Sequence, residues 1–385
     1  MSNELDTKLA ACTDLLRELA GLDEATLPDS EDFERLVASI YKSQRKRKRR
    51  RNGAKRKAHD RETLKAAAGV RAKTRGEEVS YQFEDATKAR QIQHRSRSCY
   101  VCNGSYRELH EFYHMLCPTC GDMSFAKRDQ SVDLAGRAAL VTGGRIKIGF
   151  ATSLKLLRAG ASVHVTTRYA ADAAMRFSEE ADFDQWSDRL QIHRVDFRDL
   201  RGLMDFITTM EAELSSLNIL INNAAQSVRR SEQYHERLKG FETTAAITQQ
   251  QTALLGWNGS SREPARSVPA LSKLAPLALL RDDDDRADTR ELNTWNMRLS
   301  EIAPVEVLEV LLVNANAPAL ILSGLRSTLC RSDFEDRYVI NVSGADGTFD
   351  LSKSGLHAHV NMSKAAANML TRSIAADYAL SLIHI

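Results

Sequence analysis

Cysteine is scarce in this chain and unevenly placed: there are six in 385 residues, four of them in two Cys-x-x-Cys pairs. That usage argues against a disulfide-stapled secreted scaffold and points, in a reducing compartment, to a metal site. Long apolar runs are lacking too. No stretch approaches the roughly 20 residues of a membrane span. The opening MSNELDTKLAACTDLL carries acids where a secretory leader has a basic and then an apolar stretch. The expectation is a soluble, cytoplasmic protein with no membrane partner.

Net charge is small, +3, but it is concentrated: Arg45 to Arg51 are seven consecutive Arg or Lys, and Lys55-Arg56-Lys57 follows. Dense positive charge releases counterions from phosphates, so a nucleic-acid partner or a targeting patch is one reading. A solvated, partly helical linker is the other, and the absence of interleaved aromatics favours it.

What is present builds several regions. An apolar content of 43% supports a sizeable core, and the length exceeds one average domain. Leu5, Leu9, Cys12, Leu15, Leu16 and Leu19, then Phe33, Leu36, Val37 and Ile40, fit two amphipathic helices separated at Pro28, with Asp29 or Ser30 as cap. These form a helical region over 1–44, followed by a basic, partly helical linker over 45–97.

A zinc-ribbon-like module is expected over 98–128. Cys99 and Cys102 form one knuckle and Cys117 and Cys120 the other, fourteen residues further on, each followed closely by Gly. Four thiolates suit tetrahedral Zn2+ and leave no open position for water, so the ion would be structural. His110 and His114 could substitute as ligands, but read as surface residues on a helix-like stretch.

The centre of the chain is Arg137 to Gly149: a short apolar run, a Gly-rich turn, and apolar residues at helical spacing from Phe150 to Ala159. This reads as strand, tight loop and helix start, the opening of a dinucleotide-binding βαβ unit. Further strands are expected over 161–167, 190–195 and 217–221, giving an α/β, Rossmann-like doubly wound parallel sheet over 132–379.

The motifs continue in register. Thr142-Gly143-Gly144 with Gly149 resembles the TGxxxGxG fingerprint of the short-chain dehydrogenase/reductase family. Asn222-Asn223-Ala224-Ala225 resembles its NNAG element, and Asn314-Ala315-Asn316-Ala317-Pro318 the segment holding its helix-borne Asn. Asn341-Val342-Ser343 is similar to the end of its fifth strand, and Lys364 stands where its YxxxK lysine would. The resemblance implies an oxidoreductase that moves a hydride between a nicotinamide cofactor and a small carbonyl or alcohol, in a homo-oligomer when full-length. The cofactor would lie against Thr142, Gly143, Gly144, Arg145, Lys147, Ile148, Gly149, Arg168, Asp196, Asn222, Asn223, Ala224 and Lys364. Arg168 ends the second strand where an NAD-selective protein places an acid; with Arg145 and Lys147 it favours NADP(H).

Two positions depart from the pattern. Lys147 replaces the family's middle Gly, so the turn must bend differently or the lysine must itself reach the phosphate. Val360 stands four residues before Lys364, where the family has the Tyr that protonates the carbonyl. Asn314, Ser343, Lys364 and His359 are the remaining catalytic candidates, with His357 also considered; helix capping or packing by the histidines is an equal alternative. A non-catalytic NADP-binding or sensor protein is therefore the second functional reading.

The 88 residues between Ala225 and Asn314 exceed family spacing, and an insertion over about 226–303 is expected to carry short helices that form a lid above the site mouth. In it, Trp295 and Met297 read as packing residues. Residues 380–385 look like a non-native tail, and the family's sixth and seventh strands are expected to be missing, leaving an open sheet edge.

Overall fold

Strands that are apolar on both faces need cover on both faces, and residues 138–142, 162–167 and 219–222 are of that kind. The computed structural model describes residues 2–22, 31–67, 90–230, 232–244, 247–257, 293–350, 352–379 and 383–384. The break expected at Pro28, the linker residues 68–89 and the acidic run 282–285 lie outside them. The chain forms two compact units, Met1–Gln130 and Ser131–Ile385.

The first unit contains α1 (Ser2–Ala20) and α2 (Glu31–Ala66), both exposed over almost their whole length. The second helix runs unbroken through the basic run and ends only at Ala66, because Lys and Arg are good helix formers and no proline interrupts them. A hairpin follows, β1 (Ile92–Ser98) and β2 (Ser105–Glu108), and then α3 (Pro118–Ala126). The Asp60 carboxylate of α2 accepts the backbone N–H of His94 at 2.7 Å and of Arg95 at 3.0 Å, which ties helix to hairpin.

Residues 109–116 are turns rather than helix, and His110 is not a surface residue: it is 1% exposed. Its Nδ1 accepts the amides of Phe112 and Tyr113, so the ring serves as a turn cap and a packing surface for Gly121.

The second unit alternates strand and helix: β3 (Ala138–Thr142), α4 (Lys147–Arg158), β4 (Ser162–Thr167), α5 (Ala170–Ser178), β5 (Leu190–Arg194), α6 (Leu200–Glu213) and β6 (Ile219–Asn222). After α7 (Glu232–Thr244) and α8 (Gln249–Ala253) come α9 (Pro304–Leu311), a π-turn over Leu312–Asn316 and α10 (Ala317–Gly324). The series ends with α11 (Arg326–Cys330), β7 (Arg337–Asn341) and α12 (Ala358–Ala379). All strand pairings are parallel, in the order β5-β4-β3-β6-β7, and the order reverses between β3 and β6. That is the doubly wound arrangement expected.

Alternation along the strands divides the core. Ala139, Val141, Val163, Val165 and Ile192 pack on α4 and α5 through Leu157, Ala174 and Phe177. Leu140, Leu220 and Val339 pack on α6 and α10 through Phe206, Met210 and Ile321.

Three expectations need correction. First, the sheet edge expected to be open at β7 carries Ile383–His384 as β8, a two-residue strand parallel to Arg337 and Tyr338. Second, Pro304–Gly324 is a 21-residue helical stretch of mean hydropathy 1.7, long and apolar enough by composition to cross a membrane. Its Val310, Ala317, Ile321 and Leu322 are buried inside the unit, where core packing accounts for that apolarity. Third, among the described residues of the insertion, α7 stands at the site mouth but the stretch that follows α8 does not. The segment after α8 pairs with the sheet edge instead: Ile192 donates to Leu254 O at 2.8 Å, Gly256 to Ile192 O at 2.9 Å, and Arg194 to Trp257 O at 2.8 Å. It satisfies the backbone that β5 would otherwise leave open.

Under that segment lies a buried imidazole pair. His193 Nδ1 accepts the Trp257 amide at 3.0 Å, so its Nε2 carries the proton and meets His164 Nδ1 at 3.0 Å. Burial pushes His164 down to about 4, and burial together with His164 pushes His193 down to about 3. Both folded values lie below the unfolded one of about 6.5. Their contribution to stability is therefore complete above pH 6.5 and is lost as pH falls towards 4. The urea midpoint should drop over that range, and His193→Asn, whose carbonyl can still accept from Trp257, should flatten the drop. An unchanged pH slope in that variant would remove the pair from the account.

Candidate functional site

The carboxyl ends of β3 and β6, where strand order reverses, are held together by one side-chain clamp. Thr142 Oγ1 accepts the amides of Asn223 and Ala224, each at 3.0 Å. The Asn223 carboxamide donates back to Thr142 O at 3.0 Å and Gly143 O at 3.1 Å. Asn222 sits below, donating to Asn341 Oδ1 of β7 at 2.8 Å. Thr142, Asn222 and Asn223 thus fix the floor of the site.

Above it the chain turns on Gly143, at φ +68°, where an added Cβ would lie 2.8 Å from Ala224 Cα. Gly149 opens onto the same turn: a Cβ there would fall 2.3 Å from Gly143 O and 2.5 Å from Asn223 Nδ2. Gly144 is similarly packed against Val165. Lys147 itself adopts the left-handed conformation, φ +55°, with its side chain exposed at the start of α4.

Beside this turn is a cavity of about 600 Å³. Gly143, Arg145, Lys147, Ile148, Gly149, Arg168, Asp196, Asn223 and Ala224, all expected at a cofactor site, line it. Arg198, Arg229, Arg230, Tyr169, Tyr234 and His235 line it too, and the sequence reading did not name them. A local signal for two of them existed in Arg229-Arg230, four residues past Ala225. His235 and Tyr234 come from α7, inside the insertion, and only the fold places them here. The same helix caps α5, since the Glu242 carboxylate accepts the amides of Ala171 and Asp172 at 3.1 and 3.0 Å.

The cavity is electropositive. Burial, then Arg168, Arg198, Lys239 and Arg229, push His235 down to about 4, so it is neutral at pH 7 and shares a 2.7 Å hydrogen bond with Tyr169 Oη. Asp196, the acid among these cavity residues, is paired with Arg198 through contacts of 2.6 to 3.2 Å. Burial raises its pKa, but the Arg198 bonds outweigh that and hold it below the usual carboxylate range. Arg145 turns away from the expected role at a ribose phosphate. Its guanidinium meets the buried Asp172 at 2.6 Å and Tyr234 Oη at 3.1 Å, bracing α5 and α7.

The catalytic candidates lie on neighbouring elements. Asn314, in the π-turn, donates to Gln226 O at 2.9 Å, accepts from Gln226 N at 2.7 Å and donates to Ser363 Oγ at 2.9 Å. Pro318 has no N–H for the Asn314 carbonyl, which is where a helix accommodates a widened turn. Lys364 is buried and donates to Val342 O at 2.9 Å; burial lowers its pKa, with Asp346 opposing. Ser343 is exposed at the end of β7.

His359 is fully buried, away from the cavity lining, and neither ring nitrogen has a hydrogen-bond partner among the described residues. His357 is held at φ +42°, stacked on Trp295 at 4.2 Å. Val360, at 1% exposure, is sealed in the core, so no proton donor replaces the family's Tyr at that position.

The four cysteine sulfurs gather within 4.8 Å of one another, Cys102 and Cys117 at 3.8 Å. Bonds of about 2.3 Å to a tetrahedral zinc would space sulfurs by roughly 3.8 Å, so the donor set fits that ion. The first knuckle is the turn of the β1–β2 hairpin, and the second opens α3.

The left-handed Lys147 generates a test. Lys147→Gly should raise stability by about 0.5–1 kcal/mol, the left-handed penalty of an L-residue less the entropy of glycine. Lys147→Ala should not. Equal urea midpoints for the two variants would show that the backbone there is relaxed.

Comparison with known proteins agrees with this geometry. The family described as short chain dehydrogenase matches residues 137–253. An uncharacterised protein of Acanthamoeba polyphaga mimivirus is 33% identical over 289 residues, 72% of this chain and 59% of that one. The human dehydrogenase/reductase SDR family member 12 is 33% identical over 108 residues, 28% of this chain and 33% of that one. The chain therefore spans less than two thirds of either relative's length. Among solved structures, the Pseudomonas aeruginosa RhlG/NADP active-site complex is similar at 20% identity and a TM-score of 0.43, covering 66% of this chain and 71% of that one. Over residues 137–253, and in the motifs that bound its cavity, the second unit of this chain is similar to the short-chain dehydrogenase/reductase family.

Proposed function

We propose that the second unit binds NADP(H) and is an oxidoreductase of the carbonyl/alcohol class whose turnover is impaired at the proton-transfer step. The observation that carries the cofactor preference is the cationic cavity. Arg168 stands at the end of β4 where an acid would select a ribose hydroxyl, and Arg198, Arg229 and Arg230 line the same space. The glycine turn and the N-terminus of α4 would hold the pyrophosphate, and Lys147 lies at their edge. The bound cofactor would supply or accept the hydride. Lys364 and Asn314 would orient what lies against them, through an ammonium fixed on Val342 and an amide fixed on Gln226.

Val360 supports the impairment. The family's Tyr and Lys share one helix face, and here that face carries a buried aliphatic group instead. The same observation favours the second reading, a nucleotide sensor without turnover.

NADPH should quench or enhance protein fluorescence at concentrations at least about tenfold lower than NADH, as one charge-assisted contact to a phosphate provides. Arg168→Glu should abolish that difference. Equal affinity for the two nucleotides, or none for either, would refute the reading. With a panel of carbonyl substrates, Val360→Tyr should raise kcat by about a hundredfold, the lower end of what a positioned acid contributes. Binding with no turnover in either form would make the protein a sensor.

We further propose that Cys99, Cys102, Cys117 and Cys120 hold structural Zn2+, which suits the reducing, cytoplasmic setting expected of free thiolates. Elemental analysis should find one zinc per chain, lost in Cys102→Ser, with a fall in the thermal stability of the first unit. Full folding of that unit in a chelator would contradict this.

A further inference from the structure

The face of the molecule that the nucleotide reading leaves unused is α2. Between Lys42 and Lys65 it carries thirteen Lys or Arg against two acids, Asp60 and Glu62. Asp60 is turned to the amides of β1. Ten of the cations lie in Arg45–Arg51 and Lys55–Lys57, all of them exposed. Seven consecutive residues cover nearly two helical turns, so the charge surrounds the axis rather than forming a stripe. Like charges at i,i+4 repel, and no acid intervenes in this stretch. Such a helix is favoured by a polyanion that surrounds it.

The shape of the charge selects among polyanions. A helix that lies on a membrane needs an apolar face. From Lys42 to Lys65 the residues that are neither polar nor charged are Gly53, Ala54, Ala58 and Leu64, so there is no such face. Single-stranded nucleic acid is held by stacking on aromatics, and this stretch contains no Phe, Tyr or Trp. The major groove of duplex DNA, about 12 Å wide, admits a helix about 10–12 Å across and places phosphates on both of its sides. That of duplex RNA is too narrow.

The hairpin extends the same surface. Asp60 binds the amides of His94 and Arg95, Gln93 donates to Asp60 O at 2.9 Å, and the His59 and His94 rings lie 5.0 Å apart. Exposed Arg95 and Arg107 are thereby fixed beside the last turns of α2.

We propose that the Lys42–Lys65 part of α2, with Arg95 and Arg107 of the hairpin, is a binding site for duplex DNA, contacting it through the phosphate backbone.

The test uses the full-length chain and a labelled DNA duplex of about two helical turns. Roughly six phosphate contacts predict a slope of about −5 for log affinity against log salt, hence about a thousandfold loss between 50 and 200 mM. Replacing Arg47, Lys48, Arg50 and Arg51 together by Gln should weaken binding at least tenfold and reduce the slope by about 3 to 4. Helical circular dichroism and the urea midpoint of the variant should match the parent, which separates lost contacts from lost structure. Several results would overturn the site: no shift at about 50 mM salt, a shift that survives the four replacements, or tighter binding of single-stranded DNA or duplex RNA. So would displacement of the duplex by vesicles of phosphatidylserine.

Discussion

The second unit depends on the exchange of hydrogen bonds between Thr142 and Asn223. Two parallel strands that diverge at the switch point of a sheet leave their last carbonyls and amides without ladder partners. A hydroxyl on one strand end and a carboxamide on the other satisfy four of these groups at 3.0 to 3.1 Å. The clamp sets the distance between the two ends, and that distance makes Gly143 and Gly149 necessary. With Ala224 and Asn223 held so close, the turn has no room for a Cβ at either position. The cavity is the space left once the clamp closes.

The same tightness explains how Lys147 is tolerated. Its neighbours are closely packed, and Lys147 between them takes a left-handed conformation. A cost of about 1–2 kcal/mol is affordable in a unit whose central strands are covered on both faces. In return the site gains an ammonium at a helix N-terminus, where anions already bind well. The cavity's other cations serve two purposes. Arg145 and Arg198 are neutralised by Asp172 and Asp196 and act as braces, whereas Arg168 shifts the potential felt by His235 enough to help keep it unprotonated at neutral pH.

Most of this fold was legible because its strands are buried on both sides and so appear as short, uninterrupted apolar runs such as Leu140-Val141 and Leu220-Ile221. The glycine turn was readable as strand, loop and helix start, and Arg168 as the end of the second strand; Asn223 and Asp196 were named through the family resemblance, and they too lie just after strands. The misread residues are those whose place is decided by long-range contacts. Nothing local distinguishes Arg145, tied to Asp172, from an arginine free to meet phosphate. His110 lies between Leu109 and Glu111, and its burial comes from Gly121 and Phe125 of the following helix. Tyr234 and His235 are held at the cavity by contacts distant in sequence: Tyr234 to Arg145, His235 to Tyr169, and Glu242 of the same helix to the start of α5. Of residues 254–257, only the edge-strand hydrogen bonds reveal the role.

Position 360 shows why fold and chemistry can part company in such a domain. Asn314, Ser363 and the carbonyl of Val360 are joined by hydrogen bonds of 2.9 Å, and Lys364 is anchored separately on Val342. None of these contacts uses the side chain at 360. A phenol there would serve substrate alone, so replacing it by a compact aliphatic group costs the framework nothing and adds a buried apolar contact. The elements that position a nucleotide are bound into the core through clamp, turn and anchor, while the proton donor of the family is attached to none of them. On the proposed function, a valine at 360 would therefore remove the proton donor and leave the hydrogen-bonded framework of Asn314, Ser363 and Lys364 as it is.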